Sequence, residues 1–356
     1  MAEILGLGLS HYPPLSSPNE QMSWILRKTL EDPSIPAKYK DTSHWQSAML
    51  EEWGQDQGTH GAQIHRQALV ERFRHVRQAL DEFKPDLVLI WGDDQYENFR
   101  EDVIPAFSVC AYPDLDLYPW RHAQGSSMMA GGKPNAWGEG PDLHYRLKGH
   151  PEAAKLITTE LIQAHFDVAY AYKPLHHSSV AHAFMNAILY LDYDRQGWPY
   201  PTITMPINCY GKRVICAKGF MTQMNDALDF DPPGPSPARC MDMGAQIART
   251  LKDSPWRVAL IASSSWSHAF LCDKTYRLMP DTESDLALYR AMQHNEFDFW
   301  RAKSTEDFEA AGQQEILNWC PLLGAMQMLG QKVAWSDFVQ THVFNSNKVF
   351  ALYEST

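Results

Sequence analysis

The sequence predicts an α/β fold, with a mixed, largely buried central sheet and helices on both of its faces. Two observations carry this reading. Seven short segments are mostly continuous apolar runs, as expected for strands covered on both sides. Amphipathic helical patterns lie between them, and strands that alternate with helices are the mark of a sheet packed between helical layers. At 356 residues the chain has ample length for a buried core. Nothing in it reads as a linker between two units, so residues 1–356 are expected to form a single domain.

The first strand is "EILGLGLSH" (3–11), ending in Ser10 and His11. "THGAQIHRQALVERFRHVRQALDEF" (59–83) follows, with apolar residues at helical spacing and a stop before Lys84-Pro85. "DLVLIWGDD" (86–94) is the second strand and delivers Asp93, Asp94 and then Gln95. "IPAFSVCAY" (104–112) is the third. The stretch 112–149, rich in Gly, Pro, Trp and His, reads as a long, lid-like loop. "HPEAAKLITTELIQAHF" (150–166) carries a proline at its first helical turn. The strand "DVAYAY" (167–172), the helix "SSVAHAFMNAILYL" (178–191) and the strand "TITMPIN" (202–208) come next. A stiff proline-rich turn (229–239) leads to the helix "CMDMGAQIARTLKD" (240–253) and the strand "RVALIASSS" (257–265). A helical cap is expected over about 285–330, and "KVFALY" (348–353) is the last strand.

Bulk properties exclude some classes. A formal charge of −12, with no basic cluster, argues against a nucleic-acid partner. No apolar run reaches the roughly 18 residues that span a bilayer, and "MAEILGLGLSHYPPL" lacks the basic leader of a signal peptide. A cytoplasmic protein is expected. The six cysteines (Cys110, Cys209, Cys216, Cys240, Cys272 and Cys320) form no C-x-x-C pair and are expected to be reduced core thiols.

Ligand sites in open α/β sheets lie at the carboxyl ends of strands. By that rule His11, Asp93, Asp94, Gln95 and His268 are candidates, joined by His176, His177 and His182 from "HHSSVAH" (176–182). Histidines and carboxylates around an open position suit a non-haem iron or zinc site. Each residue also has a plainer role: a lone histidine is often only hydrogen-bonded, and an aspartate after a strand often caps the next segment. Glu315, in "AAGQQEILNW" (310–319), is a further carboxylate that nothing local ties to His11. No nucleophile elbow, phosphate loop or H-E-x-x-H pair is present.

Five blocks in order, "LSHYPPL" (9–15), "PDLVLIWGDDQYENFREDVIPAF" (85–107), "LHHSSVAHAF" (175–184), "SSSWSHAF" (263–270) and "AAGQQEILNW" (310–319), resemble the class III extradiol ring-cleavage dioxygenases of the protocatechuate 4,5-dioxygenase β-subunit type. The resemblance implies a catalytic domain that binds Fe2+ through two histidines and a carboxylate, with positions left open for a catechol-type aromatic diol and O2. It implies His11 and Glu315 as metal ligands, and His268 and His177 as catalytic histidines. By the resemblance Asn345 and Asn347 would touch substrate; from the residues themselves, Trp120 and His122 are substrate candidates if the 112–149 loop acts as a lid or enters a neighbouring subunit's pocket, and surface residues if it is an ordinary excursion. The resemblance also implies a homodimer or larger homo-oligomer.

The chain departs from the family at the second ligand. Where the family carries a histidine, an ungapped match places Gln95. Gln95 itself, Asp93, Asp94, or His60 from the preceding helix would fill the position, or the metal is altered or lost. A lyase or hydrolase with His268 as general acid/base, and a non-catalytic partner subunit, are the alternative functions.

Overall fold

The computed structural model describes residues 2–123, 134–176, 179–210 and 230–355. Its centre is an eight-stranded mixed sheet in the order β6-β3-β7-β2-β8-β1-β10-β9. The strands are β1 (Ile4–Leu9), β2 (Leu87–Asp93), β3 (Ser108–Cys110), β6 (Ala169–Ala171), β7 (Thr202–Ile207), β8 (Val258–Ser263), β9 (Gln331–Val339) and β10 (Lys348–Ser355). The four central strands β7, β2, β8 and β1 run parallel. β10 and β9 add antiparallel at one edge, and β3 joins β7 antiparallel at the other. β2, β7 and β8 are buried along their whole length, which explains why they read as unbroken apolar runs.

Alternation along each strand splits the core into two layers. Leu87, Leu89 and Trp91 of β2 pack on one face with α7 (Pro151–Gln163), α9 (Pro237–Lys252) and the later helices α10 (Thr282–Gln293) to α13 (Trp319–Leu329). Val88 and Ile90 pack on the other face with α5 (Thr59–Phe83) and α8 (His182–Leu191). α5 holds the predicted bounds: its buried stripe Ala62, Leu69, Phe73, Val76, Leu80 recurs every three to seven residues, and it stops at Lys84 in a left-handed conformation before Pro85. Each fully buried Leu or Phe on such a stripe contributes roughly 1.5–3 kcal/mol.

Glycines let the first layer lie close to the sheet. A side chain at Gly8 of β1 would collide with the Trp319 ring, and one at Gly324 of α13 with the Met241 carbonyl of α9. That close seat brings the start of α13, and the 3-10 turn Gln314–Asn318 before it, down onto the sheet.

Two expectations need correction. The 112–149 stretch is not one long loop among the described residues: β4 (Leu115–Leu117) and β5 (Tyr145–Leu147) pair as an antiparallel ladder, with α6 (Pro119–Ala123) after β4. β9 was not expected; it is a half-exposed edge strand, so it lacks the solid apolar run that marks the central strands. Helices also cover residues 19–53 in part, through α1 (Asn19–Met22), α2 (Trp24–Glu31), α3 (Ala37–Lys40) and α4 (Ser47–Trp53). No described helix is long and apolar enough to cross a membrane.

Candidate metal centre and active site

The carboxyl ends of the four parallel strands lie along one edge of the sheet, and five segments meet there. His11 follows β1, Asp93 ends β2, and Ser263 ends β8. His182 opens α8 from one layer, and Glu315 comes from the 3-10 turn of the other. One ligand atom from each of His11, Asp93, His182 and Glu315 lies within 4.8 Å of the others. His11 Nε2 is 3.6 Å from Glu315 Oε2 and 3.9 Å from Asp93 Oδ1; His182 Nε2 is 3.9 Å from Asp93 Oδ2.

In each of these side chains the second polar atom is already occupied. The Ser263 hydroxyl donates to the Ala183 carbonyl (2.9 Å), so its oxygen accepts from His11 Nδ1–H (3.1 Å), and the lone pair of His11 lies on Nε2. Asn318 Nδ2 donates to Asp93 Oδ1 at 3.1 Å. Glu97 accepts from His182 Nδ1 at 2.5 Å and also from the backbone N–H of His182. Glu315 Oε1 accepts from Tyr210 and faces His268 Nε2 at 3.2 Å. What remains is a set of buried atoms with no hydrogen-bond partner among the described residues: His11 Nε2, Asp93 Oδ2 and Glu315 Oε2, and also His268 Nδ1. Buried polar atoms left unpaired cost about 1–3 kcal/mol each. Three of them facing one another fit a cation that would take their lone pairs, and nitrogen with carboxylate oxygen is a donor set that first-row divalent metals accept.

The electrostatics agree. Burial lowers the His11 pKa to about 4, so its ring is neutral. Burial and the nearby Glu315 push the Asp93 carboxyl well above its usual value. For His182 burial pulls down, but Glu97, Asp93 and Glu315 outweigh it and raise the pKa to about 10. Burial likewise opposes ionisation of Glu315, yet His268, then His11 and the Tyr210 hydroxyl, hold it below the usual carboxylate range. Two buried carboxylates thus compete for the positive charge of imidazoles, a strain that a bound divalent ion would relieve.

Several expected site residues lie elsewhere. Asp94 is a cap: its carboxylate accepts from the backbone N–H groups of Glu97, Asn98 and Phe99 in the turn after β2. Burial and Glu97, against those N–H donors, leave its pKa raised to about 6. His60 is exposed at the start of α5, bonded through its N–H to Asp56, and stands outside the cluster. Gln95 is partly buried in the turn that Asp94 caps; among the described His, Cys, Asp and Glu side chains, Asp93 and His182 are those brought to His11 and Glu315.

Asn347 is fully buried and consumed by Asp285, Thr282 and the Thr341 N–H, so its amide is closed to a substrate. Asn345 takes a left-handed φ of 60°, and its side chain accepts from the Phe270 N–H. Trp120 is buried with its indole N–H on Glu139. His122 lies in α6, its side chain outside the described residues, as is all of His177. Sequence reasoning did not single out His182 as a ligand, nor Glu97, Tyr210 or Asn318. Tyr210 follows β7, so the strand-end rule already used would have reached it.

Residues 230–351 match the family described as the catalytic LigB subunit of aromatic ring-opening dioxygenase, a span that contains His268 and Glu315. The chain is 23% identical over 218 residues to a 2,3-dihydroxyphenylpropionate/2,3-dihydroxicinnamic acid 1,2-dioxygenase of Photorhabdus laumondii, covering 60% of this chain and 53% of that protein. It is 26% identical over 193 residues to a protein of the same name from Comamonas testosteroni, covering 54% and 46%. The chain thus spans about half the length of the curated relatives it matches.

Proposed function

We propose that this relative of the class III extradiol ring-cleavage dioxygenases is itself a ring-opening oxidoreductase. It takes a catechol-type aromatic diol and O2, breaks the ring bond beside the diol, and leaves both oxygen atoms in the opened product. Fe2+ is the proposed ion, with His11, Asp93, His182 and Glu315 to hold it. The observation that carries the reading is the convergence of three buried, unpartnered ligand atoms beside His268.

When bound, the ion would supply electrons and open positions at which diol and O2 meet. The protein's own part is to orient, exclude water and move a proton. His268 Nε2–H rests on Glu315 Oε1 at 3.2 Å, which leaves Nδ1 bare. In this reading the His268 ring takes a proton from a diol hydroxyl, and Glu315 stabilises the imidazolium that forms. Phe270 packs edge-on to His268, with ring centroids 5.5 Å apart, and helps fix the plane of that ring. The five described cysteines are buried and unpaired, which suits the proposed cytoplasmic setting.

Asp93 favours a second reading. It makes the donor set two histidines and two carboxylates, one carboxylate more than the resemblance implies, and such a set also suits metal-assisted hydrolysis or a non-oxidative lyase step. Labelled oxygen separates the two. Protein loaded with Fe2+ under anaerobic conditions and given a panel of catechols with 18O2 should consume about one O2 per diol and place two labels in the product. Turnover at an undiminished rate without O2 would establish the second reading instead.

A further inference from the structure

Asp285, on α10, is fully buried, and among the described residues its carboxylate has no cation as a hydrogen-bond partner. It accepts from the Ser267 backbone N–H (3.0 and 3.2 Å to its two oxygens), from Gln313 Nε2 (2.7 Å) and from Asn347 Nδ2 (2.7 Å). Ser267 precedes His268. Gln313 stands two residues before Glu315. Asn347 closes the segment whose Ser346 pairs with His268 and whose Asn345 carbonyl accepts from the Ala269 N–H. The same three segments are stitched further by His268 N–H to the Gly312 carbonyl (2.7 Å), Ser267 Oγ to the Ala311 carbonyl (2.5 Å) and Trp266 N–H to the Asn347 carbonyl (3.2 Å).

We propose that Asp285 is a positioning residue, one carboxylate that joins the His268, Glu315 and Asn347 segments, and so aims the ligand Glu315 through Gln313 and, separately, His268 through Ser267. A buried, uncompensated carboxylate costs stability. Its use here makes sense for aim: two oxygens with about four acceptor directions can hold three loops at once, which an apolar residue of the same size cannot. Asp285 touches no reacting atom. It acts through Ser267 and Gln313, in the way partners behind a metal ligand fix that ligand's direction. Burial pushes its pKa up to about 7 although the three donors pull the other way.

The inference rests on the proposed metal centre, so its test reads metal binding first. Three proteins are compared: wild type, Asp285→Asn, and Asp285→Asn with Gln313→Glu. The double variant reverses one donor and acceptor while keeping all three contacts. Anaerobic titration with Fe2+ gives affinity, the visible spectrum of the Co2+ form gives ligand geometry, and kcat and KM are measured where a diol turns over. Asp285→Asn should weaken Fe2+ binding by about tenfold or more, alter the Co2+ spectrum and lower kcat with little change in KM. The double variant should recover most of each loss. Wild-type affinity and spectrum in Asp285→Asn, or a double variant no better than the single, would overturn the proposal. If Asp285→Asn fails to fold, Gln313→Ala is read in its place and should weaken Fe2+ binding comparably; unchanged affinity there would also overturn it. A wild-type protein that binds no Fe2+ would instead remove the metal centre itself.

Discussion

Replacing Asp93 by Asn is the most informative single change. The amide keeps the shape and can still meet Asn318, but it removes one of two buried negative charges from the cluster. An ion among donor atoms no more than 4.8 Å apart lies within that distance of Asp93. A pair of unit charges about 4 Å apart at an effective dielectric of about 20 interacts by about 4 kcal/mol, which is about three decades in Kd. The same change relieves the metal-free protein. Burial and Glu315 raise the folded pKa of Asp93 above its unfolded value, so ionising it costs stability as pH rises through the folded pKa. Anaerobic Fe2+ titration should therefore show Kd rising by about 10^3, while the melting temperature of the metal-free protein at pH 8 rises by about 2 °C or more. Wild-type affinity in the variant, or a fall in metal-free stability, would refute the placement of Asp93 in the centre.

Other outcomes follow from the same geometry. Metal binding should strengthen with pH: His182, raised to about 10, must lose a proton, and the raised Asp93 pKa acts in the same direction, whereas His11, lowered to about 4, is already neutral. Titrations between pH 6 and 9 in buffers of different ionisation heat should register proton release, and none released would contradict this. His268→Ala should keep Fe2+ within a few-fold of wild type while turnover falls by about 10^2–10^4; loss of metal instead would make His268 a ligand. Gly8→Val should drive a side chain into Trp319 and cost about 1–3 kcal/mol, read as a lower urea midpoint.

Much of this was legible in the chain because burial on both sheet faces writes itself as unbroken apolar runs, as in "LVLIW" of β2. The same strand also contained the carboxylate proposed for the second ligand position. Leu87, Leu89 and Trp91 share one core layer, and the next residue in that row is Asp93, which meets Asn318 of the same layer. An ungapped match points to Gln95, which lies past the end of the strand at Asp93, in the turn that Asp94 caps. His182 was harder to read. Its approach depends on α8 being capped by Glu97 from another segment, and nothing in "HHSSVAH" announces a partner 85 residues away. Asp285 looks in sequence like any acidic residue in the first turn of a helix; only the packing of three loops around it sets it apart.

The central claim is that His11, Asp93, His182 and Glu315 share one ion. Anomalous diffraction at the iron edge, from crystals loaded anaerobically with Fe2+, tests it most directly. A single strong peak is expected within bonding reach of His11 Nε2, Asp93 Oδ2 and Glu315 Oε2, with His182 Nε2 turned toward it. A peak bound through Gln95 or His60, or no peak at this sheet edge in iron-loaded protein, would contradict it.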